Sequence, residues 1–337
     1  MTDTLNRTTL RDVARKAGVS LGTASKALNK SGTLRAETRE KVLVAARELG
    51  FRPNDLAQAL HRGQSYTVGL ISNDSFGRFT MPIMEGLERV LHEEGIALFM
   101  CNATDDPARE QRHIDQLLGK RVDGLVFTGR RADRRAAPGV ALGGVPALYV
   151  FAQSDAPGAA CLLPDDEGGA RLAVAHLLNT GRKRLAHVSG PEDFEAVRLR
   201  RAGFEAALAE VHMPVHPDMI LHGAWSEAWG RAAARDLLNR AEPPDAIFAG
   251  NDQIARGILD TLHDRGLSVP GEIAVIGFDN WTIMAEAARP ALTSIDMNLD
   301  ALGEEAGRRI VRMIRGDTVS GITRLPCTLV RRASTTQ

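Results

Sequence analysis

Residues 9–29, TLRDVARKAGVSLGTASKALN, place hydroxyl and basic side chains at spacings suited to contacting a nucleic acid. If the second half of this stretch is a helix, Ala24, Ala27 and Leu28 recur at helical spacing and face inward. The opposite face then carries groups that can hydrogen-bond phosphates and reach base edges. These outward residues are Ser20, Leu21, Gly22, Thr23, Ser25 and Lys26.

Two short helices joined by a tight turn would position this face. Thr9 and Asp12 have the capping-box spacing for the start of the first helix. Gly18 suits the left-handed conformation that ends it, and Ser20 can cap the second helix, predicted over residues 21–28. A packing hairpin is the alternative, but A-x-x-x-G-V-S followed by T-x-S-x-x-L-N is more specific than a generic hairpin. The pattern indicates a helix-turn-helix, whose second helix enters the major groove.

A third helix is predicted from about residue 36 to residue 49. Val42, Ala46 and Leu49 give it an apolar face at helical spacing, and three such helices can share a small core. Basic residues near this helix are candidate phosphate contacts or ordinary surface charges. They are Lys30, Arg35, Arg39 and Lys41.

The break at residues 51–54 is followed by a pattern for a short helix over about residues 55–61. Asn54 can cap it, and Leu56 and Leu60 lie on one face. A helix of this length is marginal by itself. The leucine pair is either a wedge for the minor groove, which would bend DNA, or the apolar face of a linker helix.

From Tyr66 onward, apolar strands alternate with amphipathic helices, which indicates parallel sheets with right-handed crossovers arranged in two lobes. Ligands of such sheets bind beyond the carboxyl ends of the strands. Polar and aromatic side chains at those positions suit a polyhydroxylated ligand. These residues are Arg198, Arg200, Trp225, Asn251, Asp252, Asp279 and Asn280. Helix capping by Asp252, a cap or turn at Asp279, and core packing of Trp225 are the alternatives.

Composition adds limits on the class of protein. The chain has 337 residues and zero formal net charge, yet residues 1–63 carry 12 Lys+Arg and 6 Asp+Glu, which leaves +6 on the head and −6 on the rest. A basic head suits phosphate binding. Cys101, Cys161 and Cys327 are far apart and expected in the core, so no zinc site or cofactor is predicted. The polar start shows no secretory signal, and no apolar run is long enough for a membrane, which favours the cytoplasm.

The motifs T-L-R-D-V-A-R-K-A-G-V-S, T-x-S-K-A-L-N, T-R-E-K-V and F-R-P-N-x-x-A-Q-x-L resemble the head and hinge of the lac repressor family (LacI/GalR type). The resemblance implies phosphate contacts, base-reading positions, and an intercalating Leu60 beside a small Ala57. The DNA-binding set that follows is Thr9, Leu10, Ser20, Leu21, Gly22, Thr23, Ser25, Lys26, Asn29, Thr33, Asn54, Ala57 and Leu60. Lys26 departs from the usual arginine and lacks its bidentate fork for guanine. Arg35 replaces a common small capping residue.

The body is similar to the family's effector domain, which resembles periplasmic sugar-binding proteins. On that resemblance, the second lobe supplies hydroxyl ligands and a stacking ring, and the first lobe supplies a pocket wall. The implied ligand-binding residues are Ser72, Asn73, Phe79, Thr80, Phe151, Arg200, Trp225, Asn251 and Asp279, with Asp165 a weaker candidate. Phe151 stands at a position that is acidic in the lac repressor, which argues against the same sugar.

We therefore predict an α/β chain with a three-helix head at residues 1–52, a hinge helix and linker at 53–65, and a bilobed effector-binding and dimerisation domain at 66–337. Lobe 1 is expected to span about 66–163 and 293–325, and lobe 2 about 164–292 and 326–337. A dimer is expected, because two heads must read two half-sites and the chain ends without a leucine heptad.

The predicted function is a ligand-responsive transcriptional regulator, specifically a repressor of carbohydrate-utilisation genes that a sugar inducer releases from a pseudo-palindromic DNA operator. A non-sugar or corepressor ligand, such as a nucleobase or a sugar phosphate, is the alternative. A sugar-binding protein without a regulatory role is a further one, which the basic head disfavours. An enzyme is not predicted, since His187 follows a strand without a visible catalytic partner, and the run Arg130, Arg131, Arg134 and Arg135 is expected to be a solvated loop.

Overall fold

The structure is a computed structural model that describes residues 8–29, 32–51, 64–74, 77–139 and 141–336. The chain divides into two compact units, Met1–Tyr66 and Thr67–Gln337, which we call the head and the body. The predicted hinge residues Asn54, Leu56, Ala57 and Leu60, together with Lys30, lie outside the described residues.

Three helices form the described part of the head: α1 (Leu10–Ala17), α2 (Leu21–Leu28) and α3 (Ala36–Glu48). The predicted capping box at Thr9 and Asp12 is present at the start of α1. Gly18 ends α1 with φ of 66°, a left-handed conformation that glycine adopts without steric penalty. Ser20 caps α2, because its Oγ accepts a hydrogen bond from the amide of Thr23 at 3.1 Å.

The core of the head consists of small apolar side chains from all three helices. Alanine dominates this core, so the helices approach closely and hold α2 in a fixed orientation. The buried residues are Val13, Ala14, Ala24, Ala27, Val42, Ala45 and Ala46. Arg35 stands at the start of α3 without a capping hydrogen bond from its side chain, in agreement with its departure from the usual small residue.

Lobe 1 of the body is built on a six-stranded parallel sheet, in the order β13-β7-β5-β3-β1-β2. Its strands are β1 (Thr67–Ser72), β2 (Ala97–Asn102), β3 (Gly124–Thr128), β5 (Ala147–Val150), β7 (Ala160–Pro164) and β13 (Gly321–Leu325). Two short strands, β4 (Arg134–Arg135) and β6 (Gln153–Ser154), pair separately. Its helices are α4 (Thr80–Glu93), α5 (Pro107–Gly119) and α11 (Leu299–Ile314).

Lobe 2 contains a second six-stranded sheet, in the order β14-β12-β11-β10-β8-β9, in which only β14 is antiparallel to its neighbour. Its strands are β8 (Leu185–Ser189), β9 (Ile220–His222), β10 (Ala246–Ala249), β11 (Ala274–Asp279), β12 (Thr293–Asp296) and β14 (Thr328–Val330). Its helices are α6 (Asp166–Asn179), α7 (Glu195–Glu210), α8 (Glu227–Leu238), α9 (Asp252–Asp264) and the short α10 (Thr282–Ala285).

Glycines bring the helices of each lobe into backbone contact. A Cβ on Gly303 of α11 would lie 2.1 Å from the carbonyl oxygen of Ile83 in α4, and one on Gly257 of α9 would lie 2.0 Å from that of Glu227 in α8. Neither position has space for a methyl group, because the nearest atoms belong to the backbone. These close helix pairs, together with strands that are apolar on both faces, make each lobe a densely packed block.

The chain passes between the lobes three times, at residues 164–166, 296–299 and 325–328. The passages are hydrogen-bonded to one another. The amide of Asp165 donates to the carbonyl oxygen of Leu325 at 2.8 Å, and Asn298 Nδ2 donates to that of Pro326 at 2.9 Å. Cys327 is buried among them, and its thiol donates to the carbonyl oxygen of Asp165 at 3.3 Å.

One predicted boundary is wrong. The sequence predicted a return to lobe 1 at residue 293, but β12 pairs with β11 in the second sheet, with Ile295 opposite Phe278. The chain returns only at α11, which packs against α4. Among the described residues, no helix is both long enough and apolar enough to cross a membrane.

Candidate functional site

The predicted DNA-contact face lies on the first turns of α2. Leu21 is 46% exposed, and Gly22 and Lys26 are also exposed, while Thr23 and Ser25 are half-buried. A Cβ on Gly22 would meet only Ser20 Oγ, at 3.9 Å, so this glycine leaves an open surface at the helix start. The face can therefore approach a flat partner closely.

Several hydroxyl groups of this face are engaged within the head. Ser20 Oγ lies 2.9 Å from Thr23 Oγ1, and Asn29 Nδ2 donates to Ser25 Oγ at 3.3 Å. Thr9 Oγ1 donates to Asp12 Oδ2 at 2.6 Å, and this bond is the main cause of the lowered pKa of Asp12. These bonds fix the polar groups before any partner is bound, which reduces the entropy lost on binding.

Two of the predicted DNA contacts differ in character from the others. The side chain of Leu10 packs on the core of the head, which leaves its backbone amide, at the start of α1, as the group that could contact a phosphate. Thr33 is exposed in the loop before α3. Lys41 pairs with Glu37 at 2.9 Å on an exposed helix face, as an ordinary surface charge does.

The first wall of the cleft between the lobes forms at the ends of β1, β3 and β5. Phe79 and Phe151 stack there, with ring centroids 4.7 Å apart. Phe151 has φ of 51°, which is uncommon for a bulky residue, and such strain is frequently found at binding sites.

Ser72 and Thr80 were expected to face the cleft, but they do not. Both are fully buried, and Thr80 Oγ1 lies 2.8 Å from Ser72 Oγ and 3.1 Å from Thr128 Oγ1. The amides of Phe79 and Thr80 donate to Asp74 Oδ2 at 2.7 and 3.1 Å. Ser72 and Thr80 therefore support the wall from behind, and Asp74 holds Phe79 in position.

Asn73 lines a cavity of about 310 Å³ at the carboxyl ends of the lobe-1 strands, which also includes Gly129 and Asp133. Asn73 Nδ2 donates to Glu110 Oε2 at 3.0 Å, and Glu110 also pairs with Arg135. The arginine run was expected to be a solvated loop. Arg130 and Arg131 are well exposed in it, but Arg135 reaches a buried carboxylate, so the expectation holds for only part of the run.

The second wall is centred on Arg200, which is 4% exposed. Its Nε donates to Asp166 Oδ1 at 2.8 Å, its Nη1 donates to the carbonyl oxygen of Gly250, and its guanidinium lies 3.7 Å from the ring centroid of Phe278. Burial raises the pKa of Asp166 although Arg200 opposes the shift. Arg198, by contrast, is exposed and pairs with Glu195 at 2.8 Å, so it lies outside the cleft.

Asp279 ends β11 with φ of 98°, and Asn280 follows with φ of 47°. One carboxylate oxygen of Asp279 lies 3.6 Å from Arg200 Nη2, and the other pairs with Arg78 of lobe 1. Sequence analysis missed Arg78, because the loop before α4 has no periodicity that would assign it to a site. The next residue, Phe79, was predicted to line the pocket, and this prediction could have pointed to Arg78.

Asn251, expected as a ligand-binding residue, takes the capping role that was the alternative for Asp252. Asn251 caps α9, since its Oδ1 accepts from the amide of Ile254 at 2.8 Å. Asp252 is fully buried, and its two oxygens accept from Ser294 Oγ and from the amide of Trp281, each at 2.6 Å. Burial, with a smaller contribution from Asp279, raises the pKa of Asp252 to about 7. Asp165, the weaker candidate, caps α6.

Trp225 is half-buried at the mouth of lobe 2, where its ring lies flat on Gly190: a Cβ there would be 2.2 Å from the ring. Phe194 meets it edge-on, at 5.9 Å between ring centroids. Lobe 1 contacts this cluster, because Asp133 Oδ1 accepts from the amide of Glu195 at 2.7 Å. The lobes thus contact each other at two places near Arg200, through Arg78 with Asp279 and through Asp133 with Glu195.

His187 lies within β8 and is a core residue. It is fully buried, stacked against Phe204 and Phe248 at 5.4 and 4.6 Å, and its Nδ1 lies 3.0 Å from the carbonyl oxygen of Phe248. Burial lowers its pKa to about 3, so the ring is neutral at physiological pH.

The cleft combines charged donors and acceptors with aromatic rings from both lobes. Carboxylate and guanidinium groups can each bind two neighbouring hydroxyls, and the rings can pack on C–H faces. Among the described residues, Asn73 Oδ1, Ser189 Oγ and Asn280 Oδ1 are buried at strand ends without a hydrogen-bond partner. Such a site suits a small hydroxylated molecule enclosed between the lobes.

Comparison with known proteins gives consistent matches for both units. Residues 9–54 match the family described as bacterial regulatory proteins, lacI family, and residues 174–335 match the periplasmic binding protein-like domain. Catabolite control protein A of Priestia megaterium is 32% identical over 97% of this chain and 99% of its own length. The ribose operon repressor of Escherichia coli strain K12 is 33% identical over 92% and 94%.

Solved structures extend the similarity to the whole fold. The lac repressor dimer bound to operator and the anti-inducer ONPF matches with a TM-score of 0.79 and 30% identity, covering 98% of this chain and 99% of that one. The complex of the transcriptional regulator CelR with cellobiose matches with a TM-score of 0.68 and 30% identity, covering 97% and 100%. The head, the two-lobed body and these relatives together show that the chain belongs to the lacI family of bacterial regulatory proteins.

Proposed function

We propose that the protein is a repressor that binds a pseudo-palindromic operator as a dimer and releases it when a small hydroxylated effector closes the cleft. The observation that carries this proposal is the exposed first turn of α2, held by its caps on a core shared with α1 and α3. This arrangement is the geometry of a recognition helix. The same function assigns base reading to Leu21, Gly22 and Lys26, and phosphate contacts to Thr9, Thr23, Ser25 and Asn29.

The effector assignment is supported by the groups that line the cleft and by the relatives. Arg78, Phe79, Asp279 and Trp281 line one cavity of about 390 Å³ between the lobes, and Arg200 lies behind it, 3.6 Å from Asp279. Relatives whose names or titles mention ribose and cellobiose favour a sugar-like ligand. By linkage, an effector that weakens operator binding must itself bind more weakly, by the same factor, when operator is present.

We propose regulation rather than catalysis, because the ionisable groups of the cleft bind each other and nearby amides. The carboxylates of Asp166 and Asp279 pair with arginines, and Asp252 is held by a hydroxyl and an amide. A regulator of this kind acts on DNA in the cytoplasm, and we propose that location. Chemical conversion of a bound effector would revive the enzyme hypothesis.

The second copy of the chain is expected to cover an apolar surface of lobe 1. Phe99 and Met100 are 46% and 40% exposed on opposite faces of β2, which is an edge strand, and Met81 is 47% exposed on α4. We expect Phe99→Asp to shift sedimentation velocity from dimer to monomer. Leu172→Asp, at an exposed position on lobe 2, should leave the dimer intact; equal behaviour of the two variants would exclude this surface.

Operator binding is tested by selecting duplexes from a randomised library with the full chain, followed by anisotropy titration of the selected duplex at two salt concentrations. We expect Lys26→Ala to weaken binding to the selected duplex by roughly tenfold, because one base contact contributes about 1–3 kcal/mol. The matched control is Lys120→Ala, an exposed lysine of the body. Failure to enrich any sequence over random DNA would refute the proposed function.

The effector is sought by thermal-shift screening of sugars, sugar acids, sugar phosphates, polyols and nucleobases. A ligand at a hundred times its dissociation constant stabilises the folded protein by about 2.7 kcal/mol, which gives a visible shift. Binding of a nucleobase would be consistent with a transcriptional regulator. It would replace the sugar-like ligand by a nucleobase and the inducer by a corepressor.

A further inference from the structure

Arg78 lies in the middle of the effector cleft. It extends from the loop before α4 in lobe 1 to the end of β11 in lobe 2, where it pairs with Asp279. Its guanidinium carbon lies 4.5 Å from the ring centroid of Trp281 and 4.9 Å from that of Phe79. The side chain is 15% exposed. A cation is thus held between two aromatic faces, one from each lobe.

The charges around Arg78 show which group balances it. Arg200 has its own counterion in Asp166, at 2.7 Å, and lies 3.6 Å from Asp279. Asp252 is engaged by a hydroxyl and an amide and, with a pKa of about 7, carries only part of a negative charge at neutral pH. Asp279 is therefore the counterion of Arg78.

A neutral polyol would disturb this balance. Its hydroxyls would donate to the carboxylate of Asp279 and compete with Arg78 for the same oxygens. Arg78, whose side chain is only 15% exposed, would then share its counterion with the ligand, and weakening a largely buried ion pair is unfavourable. A ligand with its own carboxylate or phosphate avoids this, because the guanidinium fork binds either group in a bidentate manner.

We propose that the effector is a hydroxylated anion, a sugar acid or a sugar phosphate, whose anionic group binds Arg78 while its hydroxyls bind Asp279. Arg78 is the specificity-determining residue for charge, and the faces of Phe79 and Trp281 keep its guanidinium in position. The inference rests on the proposed function, in that it takes the cleft as the effector site.

The test uses isothermal titration of the full chain with matched pairs that differ only in the anionic group. The pairs are gluconate and sorbitol, glucuronate and glucose, and glucose 6-phosphate and glucose, with the galacto series in parallel. We expect at least one anion to bind roughly tenfold or more tightly than its neutral partner, because hydrogen bonds to charged groups are about twice as strong as neutral ones. The preferred pair distinguishes a carboxylate from a phosphate.

Variants connect the preference to this residue. Arg78→Met should reduce the preference to less than about threefold, and Arg78→Lys should retain part of it, because the charge stays while the fork is lost. The matched control is Arg130→Met, a well-exposed, ion-paired arginine of the same lobe, and it should leave the preference unchanged.

Three results would overturn the inference: tighter binding of a neutral member, no binding of any anion at millimolar concentration, or an anion preference that persists in Arg78→Met. Operator selection is independent of all three. A chain that selects an operator but prefers a neutral ligand would refute the assignment of charge and keep the regulator. A chain that selects no operator would refute the proposed function instead.

Discussion

Replacing Asp252 by Asn should make the body increasingly more stable than the wild type as the pH rises from 5 to 8. The carboxyl group has a pKa of about 7 in the folded protein, against an ordinary value of 3.8. The folded state therefore binds this proton more tightly than the unfolded chain does. The free energy of unfolding falls as the pH rises through this range and levels off above it.

The magnitude follows from the two pKa values. One pKa unit corresponds to about 1.4 kcal/mol, so ionised Asp252 costs the folded protein about 4 kcal/mol at pH 8. At pH 5 the cost is already about 1–2 kcal/mol, because the group is ionised in the unfolded chain but not in the folded protein. The difference between Asp252→Asn and the wild type should therefore grow by about 2–3 kcal/mol between these pH values. Asparagine can keep both contacts, accepting from the amide of Trp281 and donating to Ser294 Oγ.

The assay is urea unfolding followed by tryptophan fluorescence at both pH values. The chain has three tryptophans, Trp225, Trp229 and Trp281, all in lobe 2, so the signal reports on the body. The matched control is Asp264→Asn, at an exposed position on the same helix, which should show no pH-dependent difference. A difference between Asp252→Asn and the wild type that stays constant or shrinks from pH 5 to pH 8 would refute the reasoning.

Three further outcomes are expected from urea unfolding. Gly303→Ala should destabilise the body by about 1–3 kcal/mol, because the new methyl group meets backbone, whereas Gly119→Ala, with nothing within 4 Å, should change little. The neutral ring of His187 favours folding above pH 6.5, and this advantage is lost as the pH falls towards 3. The free energy of unfolding of the wild type should therefore drop by about 3 kcal/mol by pH 4, and His187→Phe should not show this drop. Equal acid slopes of the two proteins would contradict this. Arg200→Gln should cost about 3–5 kcal/mol by leaving Asp166 buried without a partner, and adding Asp166→Asn should recover part of the loss, so additive effects would argue against the ion pair.

The local sequence pattern was sufficient to predict the features that depend on residues close together in the chain. The caps at Thr9 and Ser20, the turn at Gly18 and the alternation of strands and helices all depend on residues a few positions apart, and the structure confirms them.

The remaining features depend on contacts between distant segments. The partner of Arg78 is 201 residues away, which no periodicity reveals. The burial of Ser72 and Thr80 depends on Thr128 at the end of another strand. A helix start displaced by one residue made Asn251 the cap and left Asp252 in the interior. Which sheet β12 joins is likewise a matter of pairing, which its own sequence does not specify.

The three bonded passages between the lobes have a mechanical consequence. A single connection would let two rigid blocks twist, slide and bend, but three connections tied side by side leave bending as the motion of least resistance. Effectors of different chemistry would then drive the same one-dimensional displacement and differ only in how far along it they hold the lobes. The effect of any ligand on the head would then depend only on the bending angle between the lobes, whatever the chemical identity of the ligand.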